Sequence, residues 1–305
     1  MAKKTTVKNE NVDNVDNVDN AGNPENTGEK EDTTALTIID NVVQALGKLD
    51  EAKAEALMCV VDQMNPNKEG FESSEDEAAT LPRVKIRQGM SADAPDDVKM
   101  GGLYTDAGDN LGASLDLIPL YMYKTNRRFE SQENGVEACS SEDTVRSIYG
   151  DLCAQCEDMP FRDGKVTKCN KSMELIALSA DYQHMYRVSF MKTSYRAGAQ
   201  IYRQARAGKH AWDKTFRIST EPRTRAGTQG SYYIMTAQVS GDRAPESDYP
   251  VLSMFQQMIA TQRKAYLESL KTMRRSQEEV LEAVAQIDGG GNGDQGGPAP
   301  DYKDL

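Results

Sequence analysis

The sequence predicts a mainly β domain with flanking helices, an α+β chain whose two ends are tails. Three observations carry this. Between residues 82 and 245, short runs alternate apolar and polar side chains, the period of half-buried strands. On either side of that core, apolar residues recur at three and four, the period of an amphipathic helix. The apolar fraction is 38%, below the ~45–50% of an ordinary globular chain, so part of the chain lacks the means to build a core.

Residues 1–32 are rich in Asn, Asp, Glu and Lys and carry a three-residue Asn-Val-Asp repeat over Asn11–Asp19. The repeat has neither the glycine nor the distal glutamate of a calcium loop, and it reads as a disordered tail. Residues 33–65 read as an amphipathic helix on Leu36, Ile39, Val43, Leu46, Leu49, Leu57, Val60, Val61 and Met64, ended by Asn65-Pro66. Residues 66–81 form an acidic linker. Within 82–245, strands are expected at Val84–Arg87, at Leu115–Tyr123 with an edge or bulge proline at Pro119, and at Met185–Met191. A helix fits 194–207, with Ser194 able to cap it and Gly208 to close it. Strands follow at Thr215–Thr220 and Tyr232–Val239. A long amphipathic helix fills 246–287, opened by Pro250. Its stripe of Met258, Ile259, Tyr266, Leu270 and Met273 is expected to pack on residues 36–61 or on a second copy of the chain. Residues 288–305 form a flexible acidic tail.

Several classes are excluded early. No apolar run approaches the ~18 residues of a membrane span. Five cysteines are too few for a disulfide scaffold, and two histidines leave little for histidine-based catalysis. No nucleotide-binding, hydrolase-elbow or HExxH string occurs. The expected function is therefore binding, with no catalytic residue assigned.

The net charge of −12 conceals an asymmetry. Residues 82–245 hold 23 basic and 20 acidic side chains, a net of +3, and the rest of the chain carries −15. A mildly basic centre lies between acidic ends, which suits a polyanion at the centre and protein partners or simple solubility at the ends.

Cys139, Cys153, Cys156 and Cys169 are spaced C-x13-C-x2-C-x12-C. A CxxC turn presents two thiolates to one metal, and two flanking cysteines complete a closed tetrahedral set, so the pattern predicts one structural Zn²⁺ per chain. A closed set leaves no place for a catalytic water. Redox, iron–sulfur or metal-free roles are the alternatives, and no thioredoxin-like frame surrounds the pair. Cys59, inside the first helix, stays outside the set.

Basic and aromatic residues interleave along the centre. Single-stranded nucleic acid binds by stacking bases on aromatics while Lys and Arg follow the phosphates. The candidates are Tyr121, Lys124, Arg127, Arg128, Tyr186, Arg187, Lys192, Arg196, Arg203, Trp212, Arg217, Arg223 and Arg225. Ordinary strands also expose alternate arginines, and Tyr186 fits a core position as well as a surface one.

The order of strands, interruption, strand, helix and two strands is similar to an OB-fold. The stretch from Leu81 to about Arg243 resembles the single-stranded DNA-binding proteins of tailed bacteriophages. The resembling residues are Leu81-Pro82-Arg83-Val84-Lys85, Cys139-Ser140-Ser141 followed by Asp143, Tyr149-Gly150 before Cys153-x-x-Cys156, and Phe161 and Gly164 before Cys169. The resemblance implies an OB-like barrel with a zinc loop at 139–169. It implies a non-enzymatic protein that binds single-stranded DNA in phage replication or recombination, in the cytoplasm of the infected host. It also implies replication partners recruited through the acidic C-terminal tail. The helices at 33–65 and 250–287 offer a route to a homo-oligomer, and no membrane is involved. The other readings are a zinc-ribbon accessory protein that binds a polymerase or another protein in transcription, and a structural assembly protein.

Overall fold

The computed structural model describes residues 46–47, 49–63, 81–129, 137–158, 168–224, 231–241 and 243–289. The N-terminal tail, the first part of the 33–65 helix, the linker as far as residue 80, Arg225 and the tail beyond 289 lie outside the described residues. The architecture is mixed α+β: a curled sheet with a long C-terminal helix.

Helix α1 is Glu51–Gln63. A single helix from 33 is not what forms here, because the chain turns at Gly47 and Asp50 starts a new helix, its carboxylate accepting the Lys53 amide at 3.0 Å. The strands follow as β1 (Arg83–Ile86), β2 (Leu103–Thr105), β3 (Asn110–Gly112), β4 (Ser114–Phe129), β5 (Glu137–Ser141), β6 (Cys169–Ser179) and β7 (Met185–Met191). Then come α2 (Tyr195–Ala207), β8 (Thr215–Thr224), β9 (Ser231–Gly241) and α3 (Tyr249–Gly289). One sheet runs in the order β3-β2-β1-β7-β6-β4-β8-β9, with β5 paired to β4. Among the described strands, β1 and β7 pair in parallel and the other pairs are antiparallel.

Strand β4 is the spine of the sheet and pairs with β5, β6 and β8. The expected proline irregularity is a bulge. The register on β6 steps from Pro119↔Ala177 to Tyr121↔Ile176, so Leu120 is the extra residue. Before the bulge Ile118 and Leu120 face the outer side of the curl; after it Tyr121 and Tyr123 do.

Two cores result. The inner face gathers Val84, Leu103, Leu117, Leu175, Val188, Phe190, Phe216 and Ile218, and α2 closes it with Ala197 and Ile201. Gly198 lies so close to Phe190 that a Cβ there would sit 2.9 Å from its ring, which explains a glycine inside a helix. Ser194 does not cap α2. Its hydroxyl accepts the Met235 amide at 2.9 Å instead, tying the helix start to β9.

The outer core packs α1 and α3 on β4 through Leu57, Val60, Val251, Leu252, Phe255, Ile259, Ile118, Leu120 and Met185. The expected docking of the C-terminal helix on the N-terminal one therefore forms within one chain. The docked face differs from the expected stripe. Ile259 and Leu270 are buried, but Tyr266 and Met273 are about half exposed at 46% and 53%. The face continues instead through Arg263 and Arg274, whose guanidinium groups bind the segment after β5. Asp248 fixes α1 to this assembly. At 2% exposure it accepts Lys53 Nζ at 2.9 Å and the Tyr182 hydroxyl at 2.8 Å.

Candidate nucleic-acid interface and cysteine loop

The inner face changes character where β4 and β6 run past the core. Met122 and Met173 pack into it; two residues further along β4 comes Lys124, and two residues back along β6 comes Lys171. These lysines, with Asn126, Thr144 and Tyr195, line a cleft of ≈ 260 Å³ at the mouth of the curl. Lys124 Nζ sits 5.8 Å from the centre of the Tyr202 ring. Tyr195 and Tyr202 are two turns apart on α2, so both lie on the helix side that faces this cleft, and both are half-buried. Helix α2 contains no acidic residue and exposes Arg196, Arg203 and Arg206. Lys192 turns the chain from β7 toward α2 with a φ of 51°, and is exposed. Among the described residues, Lys124, Lys171, Lys192, Arg196, Arg203 and Arg206 make no ion pair with a carboxylate. Among the described residues this surface is basic and aromatic, with its cations outside any ion pair.

The other predicted contacts are arranged differently. Arg127 is buried between Glu142 at 3.4 Å and Glu174 at 3.6 Å. Arg187 binds Glu174 at 3.1 Å, Arg128 binds Asp158 at 2.5 Å, and Arg223 binds Glu221 at 2.9 Å. Arg217 grips Asp116 with two nitrogens at 2.9 and 2.6 Å. Tyr186 is a core residue on the inner face. Trp212 is 1% exposed, with one ring face stacked on His210 at 4.9 Å and Tyr249 against its edge. Tyr121 is half-buried on the outer face. Of the predicted set, Lys124, Lys192, Arg196 and Arg203 come together; Tyr195, Tyr202 and Lys171 join them. The i, i+7 spacing of Tyr195 and Tyr202 on an acid-free helix is the sequence signal that marks those two tyrosines.

Glu174 organises the outer face. It is fully buried at the centre of the sheet and is reached by Arg127, Arg187 and the hydroxyls of Ser172 and Ser189. Burial pushes its pKa up, but the two arginines and two hydroxyls outweigh that and hold it below the usual carboxylate range.

The cysteines gather around the end of β4. Cys139 and Cys169 are the partners of Arg128 on its two sides, in β5 and β6. Cys153 and Cys156 flank a short turn that folds back, where the Cys169 amide donates to Asp158 O at 3.0 Å. Burial, followed by the neighbouring thiols Cys153, Cys156 and Cys139, pushes Cys169 up to about 12, so the four sulfurs share one electrostatic neighbourhood. Among the described residues, no three Cys, His, Asp or Glu side chains converge closely enough to hold a metal ion. Cys59 is exposed on α1 and belongs to a different part of the molecule. No described helix is long and apolar enough to cross a membrane.

No protein-family model, curated protein or solved structure matches the chain.

Proposed function

We propose that this chain is a single-stranded DNA-binding protein without catalytic activity, serving phage or phage-like DNA replication or recombination. The observation that carries the reading is the α2 surface. Lys124 and Lys171 line the cleft with Tyr195, and Lys124 stands over the Tyr202 ring. Lys192, Arg196, Arg203 and Arg206 are exposed on and just before the same helix. None of these has a carboxylate partner among the described residues, and cations beside aromatic rings are the combination that tracks phosphates and stacks bases. The topology supports it. Strands β4, β6 and β7 form a meander, α2 follows, and β8 returns to pair with β4 before β9, as in an OB-like barrel. The phage context rests on the sequence resemblance, as does the recruitment of replication proteins by the acidic tail at 288–305.

Cys139, Cys153, Cys156 and Cys169 are, in this reading, a structural zinc set. Their spacing favours it, and ligation would draw the four sulfurs closer together than they stand among the described residues. The metal would pin the loop and take no part in DNA chemistry.

A second reading has its own support. The same loop exposes Val145 at 57% and Tyr149 at 63%, an apolar surface suited to a protein partner and to an accessory role at a polymerase. Affinity for single-stranded DNA, duplex DNA and RNA of equal length separates the two. The proposed function requires strong preference for the single strand over the duplex. Equal affinity for both, or none, favours the accessory role.

A further inference from the structure

One residue of the α2 cleft is held there at a cost. Thr144 lines the cleft together with Lys124 and Lys171. Its φ is 63°, in the left-handed region that a side chain branched at Cβ rarely adopts. Its hydroxyl makes no hydrogen bond among the described residues. Lys171 lies opposite Asn126 in the β4–β6 ladder, so it is the diagonal neighbour of Lys124 on the same face. A donor without a partner and two lysines outside any ion pair therefore share one cleft.

A strained conformation persists only where its surroundings over-determine it. Asp143 Oδ1 accepts the Val145 and Arg146 amides at 2.8 and 2.9 Å and the Ser141 hydroxyl at 3.1 Å, which fixes the backbone on both sides of Thr144. Helix α3 grips the same segment. Arg263 donates to the Glu142 carboxylate at 2.7 Å and to its carbonyl at 2.5 Å. Arg274 donates to the Arg146 carbonyl at 3.2 Å and pairs with Asp143 at 3.4 Å. Arg274 is buried, and its Nε has no hydrogen-bond partner among the described residues. Burying an incompletely matched guanidinium opposes stability, as the Thr144 backbone does. Both features are accounted for by what they hold in the cleft.

We propose that Thr144 contacts the bound strand, donating its hydroxyl to a phosphate that Lys124 and Lys171 neutralise, and that Arg274 is the positioning residue that holds it there. This rests on the single-strand reading above. It adds a neutral contact from the segment after β5, held in place by the C-terminal helix.

The test measures oligo-dT affinity across a salt series, with the thermal unfolding midpoint of each variant. Thr144→Val removes the donor and keeps the branched shape. It should weaken binding about tenfold, as loss of a hydrogen bond to a charged group does. The slope of log affinity against log salt should stay that of the wild type, because no charge is removed, whereas Lys171→Ala should lower it. Thr144→Ser, which keeps the donor, should bind as the wild type does. Thr144→Gly should lose the same factor as Thr144→Val with an unchanged or higher midpoint, since glycine adopts this φ freely. Arg274→Gln should weaken binding by itself and add little to Thr144→Val, as expected of a residue that acts through another. Wild-type affinity in Thr144→Val, beside a loss in Arg196→Ala with Arg203→Ala, overturns this proposal and leaves the strand-binding reading standing. Full additivity of Arg274→Gln with Thr144→Val rejects the positioning role. No affinity of the wild type for oligo-dT overturns both the proposal and the reading beneath it.

Discussion

The side-chain amide of Gln88 pairs with the backbone of Tyr233 as a neighbouring strand would. Its Nε2 donates to the Tyr233 carbonyl at 2.7 Å, and its Oε1 accepts the Tyr233 amide at 2.9 Å. Strand β1 sits at β7 and Tyr233 is on β9, so this one side chain bridges the gap between two stretches of the curled sheet that form no ladder with each other. Gly101 makes the approach possible. At a φ of 78° it lies under the Tyr233 ring, where a Cβ would meet ring carbons at 2.4 Å, and its carbonyl accepts the Thr220 hydroxyl.

Truncating Gln88 to Ala should therefore cost about 1–3 kcal/mol, because two half-buried backbone groups lose their partner. Urea unfolding measures it. A change below the error of that measurement would show that the bridge does not hold the curl.

Glu174 makes stability depend on acid. Its folded pKa lies below its unfolded value, so its contribution is fully present above the unfolded value, about 4.3, and is lost as pH falls through the lower folded one. The unfolding midpoint should drop more steeply below about pH 4 in the wild type than in Glu174→Gln. At neutral pH, Glu174→Gln leaves Arg127 and Arg187 poorly matched and should cost about 3–5 kcal/mol, the range for breaking a buried ion pair.

The first third of the long helix carries most of its buried apolar side chains among the described residues. Phe255→Ala should destabilise by about 3–5 kcal/mol, because the ring is fully buried between α1 and β4. Met273→Ala, on the stripe that the apolar spacing marks but about half exposed, should stay within about 0.5 kcal/mol. Equal effects would mean that the exposed stripe has a partner in solution.

The cysteine set makes a metal prediction. Purified protein should contain one zinc per chain, and Cys156→Ser should lose it along with the fold of residues 139–158, since metal binding in such loops is folding free energy. Full occupancy in Cys156→Ser, or no zinc in the wild type, rejects the assignment.

The elements that follow a simple period were legible in the sequence. Tyr186–Phe190 alternates apolar and polar residues, and Met185–Met191 forms β7. Helix α2 and the start of α3 were equally plain. Strand β6 was not, because its centre carries Glu174 on a face that normally reads as solvent-exposed; only the arginines of β4 and β7 make that position a buried one. The same blindness hid the docked face of α3, where Arg263 and Arg274 occupy positions that apolar counting skips. Strands β2 and β3 have three residues each, too short for any period to show. For the binding surface, residue type alone could not separate Arg196 from Arg217, because what distinguishes them is Asp116, 101 residues away in sequence from Arg217.

That distinction gives the most direct test of the account. Oligo-dT affinity is measured across a salt series for the wild type, for Arg196→Ala with Arg203→Ala, and for Arg217→Ala with Arg223→Ala. The account predicts that the first pair weakens binding and lowers the slope of log affinity against log salt by about 0.7 for each single-strand phosphate no longer neutralised. The second pair, whose charges are already taken by Asp116 and Glu221, should leave both unchanged. Equal losses from the two pairs, or no loss from Arg196 and Arg203, would contradict the claim that the α2 surface is where the strand binds.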